Sequence, residues 1–467
     1  MRVLAKQQGG KKVEKMNLGR RSFLRGIGIA GVSLALPGTA IAKAIGNNYD
    51  PGGPGSIKAA EAERYRKKMP EYFYKRISKR KGYIGTTKLE GTVVPFEDAR
   101  EHAFAKFFIH GANQDFTGEW GQALKKAMDD KKKLMANFTD EQKEDEMWGG
   151  AIVMSTDQFH VNLGPGRWEQ LPISKNKLEL PPDEMTAKLK KVAKWFGVDV
   201  VGVCEITEEL KPFFYKVGRT YGSLRGAPQK EKIVDHGREI PWPYPHKYAV
   251  VLGKLEGIYG VKTLVGPMNN ATVATECSDD DVFPRYLEST IRGLGYDATG
   301  QSMNGTEDFN MIPLAVQAGL GELGRMGMLV SPWGAHIRLS VVTTNMPLVA
   351  DDPIDFGLFE FCKTCKKCAE NCPSEAISKD DEPKVIRGVL RYELDPIKCM
   401  TQRATTGCAS CAGVCPFTKP DNVLHSAGRI IGQNPVGARV LTGLDDLFYG
   451  KSPTPRALTN KLAPWKL

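Results

Sequence analysis

The chain has no Cys-x-x-Cys-His segment for covalent haem attachment and little of what a membrane protein or a nucleic-acid binder needs. Its most apolar N-terminal stretch, Gly26 to Ala42, is interrupted by glycines, Ser33 and Pro37. A membrane-spanning helix takes about 20 consecutive apolar residues, so this stretch is too broken to serve. The net charge of +11 also shrinks on inspection: residues 1–42 carry eight Lys and Arg against Glu14 alone, leaving +4 on the remainder. So small a surplus makes no case for nucleic acid as a partner. The basic run Lys75 to Gly82 reads as a solvated face. Cysteine is nearly absent outside one block, since eight of the ten fall between Cys362 and Cys415. Of the other two, Cys204 lies in the apolar run VDVVGVC, where a free cysteine acts as a small buried hydrophobe.

What is present begins with GRRSFLRGIGIAG at Gly19 to Gly31. Paired arginines, Phe23 and Leu24, then small and apolar residues ending near Ala40 to Ala42, have the layout of a twin-arginine export signal, expected over residues 1–42. That route carries folded proteins, so something in this chain has to be assembled before export. At 467 residues, 41% of them hydrophobic, the chain is long enough for two or three folded domains.

The cysteine block supplies the reason for export in the folded state. CKTCKKCAENCP places Cys362, Cys365, Cys368 and Cys372 at gaps of two, two and three residues before Pro373. Cys399 follows, then Cys408, Cys411 and Cys415 before Pro416. This is the spacing of bacterial ferredoxins, in which the fourth cysteine of each run ligates the other cluster. The reading is two 4Fe-4S clusters, one on Cys362, Cys365, Cys368 and Cys415, the other on Cys372, Cys399, Cys408 and Cys411. The fourth cysteine of a run is expected to start a helix that faces away from the first three. The wide gap before Cys408 departs from the symmetric pattern. Paired C-x2-C units also bind zinc, but two triplets, each closed by one further cysteine and a proline, favour the clusters.

Upstream, periodicity alternates. KLKKVAKWF (188–196) has helical spacing, and VDVVGVCEI follows as a buried strand. KYAVVLG (247–253) and IRLSVVTTN (337–345) read as strands; RYLESTIRGLGY (285–296) and IPLAVQAGLG (312–321) read as helices. The expectation is a mixed α/β core over residues 186–350, a cluster domain over 351–420, a C-terminal extension over 421–467, and a charged, largely irregular N-terminal unit over 43–185 that packs on the core. Gly319, Gly321 and Gly324 match GxGxxG but follow a helix, and no acid stands at the distance a nicotinamide site needs. They are candidates for close approach of backbone to a large flat cofactor. No DxHxxG segment offers a histidine as lower ligand to the cobalt of a corrinoid.

RRSFLRG, IRGLGYDA, AGLGELGRMGMLVSPWGAHIR, TTNMPL and PIDFGLFEFCKTCKKCAENCP together resemble the catalytic subunit of the respiratory reductive dehalogenases, without a break from about Gly293 to Pro416. The resemblance implies an α+β protein: a nitroreductase-like core holding a base-off, cobalamin-type corrinoid, beside a ferredoxin-like domain with two 4Fe-4S clusters. It implies a Co(I) corrinoid, fed by the clusters, that removes halide from a chlorinated or brominated compound by hydrogenolysis or dihaloelimination. It also implies a small membrane-anchor subunit, a quinol-linked electron donor chain, and a peripheral place on the outer face of the cytoplasmic membrane.

By the same resemblance a tyrosine, an asparagine and a basic residue surround the substrate. The basic residue falls on Arg338 and the asparagine on Asn304. A fixed guanidinium suits a departing halide, although a strand arginine is as often held in an ordinary salt bridge. The tyrosine position falls near Cys277 in ATVATECSDDD, where no tyrosine stands between Ala271 and Asp281. Either Tyr286 or Tyr259 takes the place, or the proton donor is another group, or the reaction is a dihaloelimination that consumes no proton. Trp120, Trp148 and Trp242 are candidates to line the pocket. Two rivals stand beside this reading: an exported two-cluster electron carrier, and an epoxyqueuosine-reductase-like corrinoid enzyme, against which the export signal and the weak charge count.

Overall fold

Strand runs with both faces apolar and amphipathic helices between them dictate a sheet covered on both sides. The computed structural model describes residues 73–112, 114–163, 170–220, 236–257, 260–261, 266–303, 306–419 and 423–452. After three two-residue strands between Lys75 and Lys88, its main elements are, in chain order, α1 (Ala103–Ala112), α2 (Gly118–Ala136), α3 (Asp140–Leu163) and α4 (Pro182–Trp195). Next come β1 (Val200–Glu205), β2 (Phe214–Thr220), β3 (His236–Glu239), β4 (Tyr248–Leu255), α5 (Pro267–Gly293), β5 (Ala298–Gln301), β6 (Thr306–Phe309), α6 (Met311–Gln317) and β7 (Ile337–Thr344). The cysteine block holds α7 (Leu358–Cys365), α8 (Lys367–Glu370), α9 (Pro396–Thr406) and α10 (Ser410–Val414), and α11 (Val423–Ile431) and α12 (Pro435–Tyr449) follow it.

The central sheet has the order β1-β4-β7-β5 and is antiparallel throughout, with Val341 of β7 opposite Val251 and Gln301. Alternate residues go to opposite sides. Val203, Val250, Leu252 and Val342 pack with Leu189 of α4 and with Phe283, Leu287 and Ile291 of α5. Val200, Cys204, Ala249, Val251 and Val341 pack with Leu314 and Val316 of α6. Each Val, Leu, Ile or Phe among them, fully buried, contributes about 1.5–3 kcal/mol. Cys204 is the buried hydrophobe its context implied, and burial pushes its thiol up to about 12. A second antiparallel sheet, β3-β2-β6, adds Phe214 and Phe309 to the α6 side.

The fold is thus a mixed α/β core with a separate cluster domain. Two local expectations are corrected. The helix read from Arg285 begins at Pro267 and passes through Pro284. The N-terminal unit is not largely irregular, since α2 and α3 are long helices built from Lys, Glu, Ala, Met and Gln, which favour helix whatever their charge. α3 packs along α5, and α2 along α9. Residues 75–81 are mostly exposed, in keeping with a solvated basic face. The export signal lies outside the described residues. Among those described, no helix is long and apolar enough to cross a membrane.

Candidate active site

Helical spacing puts Cys362 and Cys365 on one face of α7. Lys366, in the left-handed region at φ 49°, turns the chain so that α8 presents Cys368 back to them. Cys415 ends α10. These four cysteines line one small pocket, together with Arg325, Met326, Phe361 and Pro416. Burial, reinforced by mutual repulsion, raises the pKa of Cys362 and Cys368. Such a set is poorly suited to hold four negative charges without iron to balance them.

The second set forms from separate pieces. Cys399 lies on α9, Gly407 ends that helix at φ +67°, Cys408 follows, and Cys411 lies on α10. Cys399 is pushed up to about 11 by burial and by its neighbours Cys408 and Cys372; Cys411 feels Cys408, Cys399 and Cys372 in turn. Cys368 and Cys411 are the neighbours that link the two sets. Cys372 and Cys415 each follow a short helix, where helix starts were expected: the turn after α8 or α10 is what swings the fourth thiol across. No three His, Cys, Asp or Glu of the described residues crowd together as a single ion requires; a four-iron cube spaces its thiolates more widely.

The surroundings of the first set carry fixed cations that the sequence did not reveal. Arg325, buried after the glycine-rich turn, donates to the Cys362 carbonyl (3.0 and 2.9 Å), to Ser378 O and to Asp380 O, and stacks on Tyr392. Lys367 and Lys419 share the buried Asp445 of α12, and Lys367 also reaches Asp446 at 2.8 Å.

On the core side, Arg338 is the second residue of β7, facing Lys254 of β4 across the sheet. Its Nε donates to Glu256 Oε1 at 2.5 Å. Burial alone would lower its pKa, but Glu256, with Cys277 and Asp280 nearby, holds it above the usual value. Arg338 is therefore salt-bridged and also borders a row of acids on α5. Asn269, Glu276 and Asp280 recur at intervals of seven and four, on one face of that helix. Burial pushes Glu276 up to about 7, against the pull of Lys254. Two buried oxygens on this face, Asn269 Oδ1 and Glu276 Oε2, have no hydrogen-bond partner among the described residues. Asn269 Nδ2 donates to Gly407 O at 2.6 Å, which ties the face to the residue before Cys408.

Other candidates fall elsewhere. Tyr286 is 45% exposed with its ring 5.3 Å from Phe196, so it is not brought to Arg338. Asn304 and Tyr259 lie outside the described residues. Gly319, Gly321 and Gly324 do not open a cradle. A Cβ there would lie 2.5 Å from Asp352 O, 2.3 Å from Val330 O and 2.8 Å from Val330 Cγ2 respectively, so the chain's own backbone and core use the space. The tryptophans separate as well: Trp120 packs with α1 and α2, Trp148 is half exposed, and Trp242 lies against Phe214. The sequence signal for the carboxylate face was three acids in a row, Asp279 to Asp281, inside a helix, where they cannot all face solvent.

Residues 361–419 match a 4Fe-4S dicluster domain. Over 300 residues, 58% of this chain, the sequence is 34% identical to the tetrachloroethene reductive dehalogenase of Sulfurospirillum multivorans, covering 59% of that protein. It is 30% identical over 307 residues to the tetrachloroethene reductive dehalogenase of Dehalobacter restrictus, covering 55% of it. The match thus spans little more than half the length of these relatives. A solved catabolic reductive dehalogenase superposes with a TM-score of 0.63 at 22% identity, covering 86% of this chain and 53% of that one. A solved reductive dehalogenase studied for B12-dependent dehalogenation gives 0.64 at 21% identity, with 85% and 52% covered. By sequence over about 300 residues, and by fold over most of its length, the chain is similar to reductive dehalogenases.

Proposed function

We propose that the protein is a reductive dehalogenase: it uses a corrinoid, supplied with electrons by two 4Fe-4S clusters, to remove halide from a small organohalide. The carrying observation is the pairing of two four-cysteine sets with a buried guanidinium and carboxyl face, joined through Asn269 and Gly407. The donor sets suit the proposed groups. Eight thiols would bind two cubes, Cys362, Cys365, Cys368 and Cys415 holding one and Cys372, Cys399, Cys408 and Cys411 the other. The orphaned Asn269 Oδ1 and Glu276 Oε2 would accept from the peripheral amides of a corrinoid. Bound, the corrinoid supplies the cobalt chemistry that cleaves a carbon–halogen bond.

The chain's own part is charge and access. Arg338, fixed by Glu256, offers positive charge to a departing halide at a partly buried site. Export by the twin-arginine route, a small membrane-anchor subunit and a quinol-linked donor chain complete the reading, with the protein peripheral on the outer face of the cytoplasmic membrane. Metal analysis of protein purified without oxygen tests it: about eight irons, matching sulfide and one cobalt per chain are expected, with halide release from organohalides. Eight irons without cobalt, after reconstitution with corrinoid, would leave an electron carrier in its place.

A further inference from the structure

Hydrogenolysis of a carbon–halogen bond consumes a proton, and the chain has no tyrosine beside Arg338 among the described residues of α5 from Ala271 to Asp281. A carboxyl group is there instead. Asp280 is 6% exposed and lies on α5 three and seven residues before Phe283 and Leu287, the side chains that this helix turns onto the sheet. Arg338 lies four residues before Val342 on β7, on the sheet face that α5 covers, and Glu276 shares Asp280's face of that helix; Arg338, Glu256, Glu276 and Asp281 are the charges that act on the carboxyl. Arg338 is already engaged by Glu256 at 2.5 Å, so the guanidinium is not spent on Asp280.

We propose that the Asp280 carboxyl is the proton donor of hydrogenolysis, acting beside Arg338; this rests on the dehalogenase reading above. The step balances as one organohalide, two electrons and one proton giving the hydrogen-substituted product and one halide. The carbon–halogen bond breaks, a carbon–hydrogen bond forms, and the halide leaves toward Arg338. The electrons come from a reductant through the two clusters. The resulting Asp280 carboxylate regains its proton from water. Burial pushes this carboxyl well above the usual carboxylate range; Arg338 opposes the rise, and Asp281, Glu276 and Glu256 add to it. That direction favours the protonated form, which a donor requires. A vicinal dihalide needs no such donor, because two electrons expel two halides and leave a double bond.

The test compares wild type, Asp280→Asn and, as control, Asp279→Asn, whose side chain is 39% exposed. Infrared difference spectra of the folded, cluster-loaded protein at pH 7 read the protonated carboxyl directly. A carboxylic C=O band lost only in D280N is expected, and its absence from wild type overturns the proposal. With corrinoid bound, trichloroethene probes hydrogenolysis and 1,2-dibromoethane probes elimination. D280N should lose about 100-fold or more on the first, in the range of general-acid catalysis, and stay within about threefold on the second. Equal losses on both probes overturn the donor role and leave the dehalogenase reading standing. Wild-type protein that converts neither overturns that reading, and the donor with it.

Discussion

Three of the four thiols in the set Cys362, Cys365, Cys368 and Cys415 are buried, whereas Cys372, Cys399, Cys408 and Cys411 are all half-buried. The first set is embedded in a hydrophobic core with Phe356, Phe361, Phe417 and Leu441, and is ringed by Arg325, Lys367 and Lys419. The second lies where α9 meets α2, with the Cys408 region tied to α5. Cys372 also accepts from Ala376 N at 3.3 Å; burial would raise its thiol, but hydrogen bonds led by Ser374 bring it below its usual value. The first set is the more deeply buried; the second reaches from that same hydrophobic cluster, against which Cys372 and Cys411 pack, to the contact of α9 with α2. Two clusters of the same chemistry would thus meet different fields, and protein surroundings of this kind set cluster potential.

The strongest way to break this comparison is to delete one thiol from each set. Cys415→Ala should cost about half of some eight irons and unfold the cluster domain, whereas Cys408→Ala should cost the same iron and leave it folded. Iron and sulfide content with near-ultraviolet circular dichroism reads both; unfolding by both variants would erase the distinction.

The arginines give a smaller contrast. Arg325→Met strands three backbone carbonyls in the interior and should cost about 3–5 kcal/mol in denaturant unfolding. Arg403, half-buried near the second set and donating to Cys408 O at 3.1 Å, should cost about 1 kcal/mol as Arg403→Met.

The helices bearing Cys362 and Cys399 differ in their caps. α7 begins under the buried Glu322, which accepts from Phe356 N at 2.8 Å and Leu358 N at 3.3 Å. α9 begins under the partly exposed Asp395, which accepts from Ile397 N and Lys398 N. Burial pushes Glu322 up to about 7. Its folded pKa exceeds the unfolded one, so its contribution is full below about pH 4.5 and is lost as pH rises through about 7. That amounts to at most about 3 kcal/mol. Glu322→Gln should remove this pH dependence, so that its stability profile departs from that of wild type across the window, and a profile parallel to wild type would remove Glu322 as the cause. Asp395→Ala should cost about 1 kcal/mol as a lost cap.

The smallest effect concerns potential. Lys367→Met removes a buried positive charge near Cys368 and should lower the potential of the first cluster alone, read by redox titration with electron paramagnetic resonance. Equal shifts in both signals would show that the two sets share one field.

How legible each region was in the sequence follows the range of its interactions. The cysteine spacing is readable because short gaps fix where successive thiols can reach, and strands β1, β4 and β7 are readable because a two-sided core imposes apolar runs. The charge of α2 and α3 hid their helical propensity. The three glycines suggested a cofactor cradle, yet the chain packs on itself there. The sequence by itself determined that two clusters of four cysteines each are possible, and that helices and strands alternate ahead of them. Only the tertiary structure decided that Asp280, Glu256 and Arg338, far apart in the chain, share one buried place, and that Arg325, Lys367 and Lys419 surround one cysteine set. Local spacing is written into covalent geometry, whereas the charge and solvation of a buried group depend on which distant segments close over it.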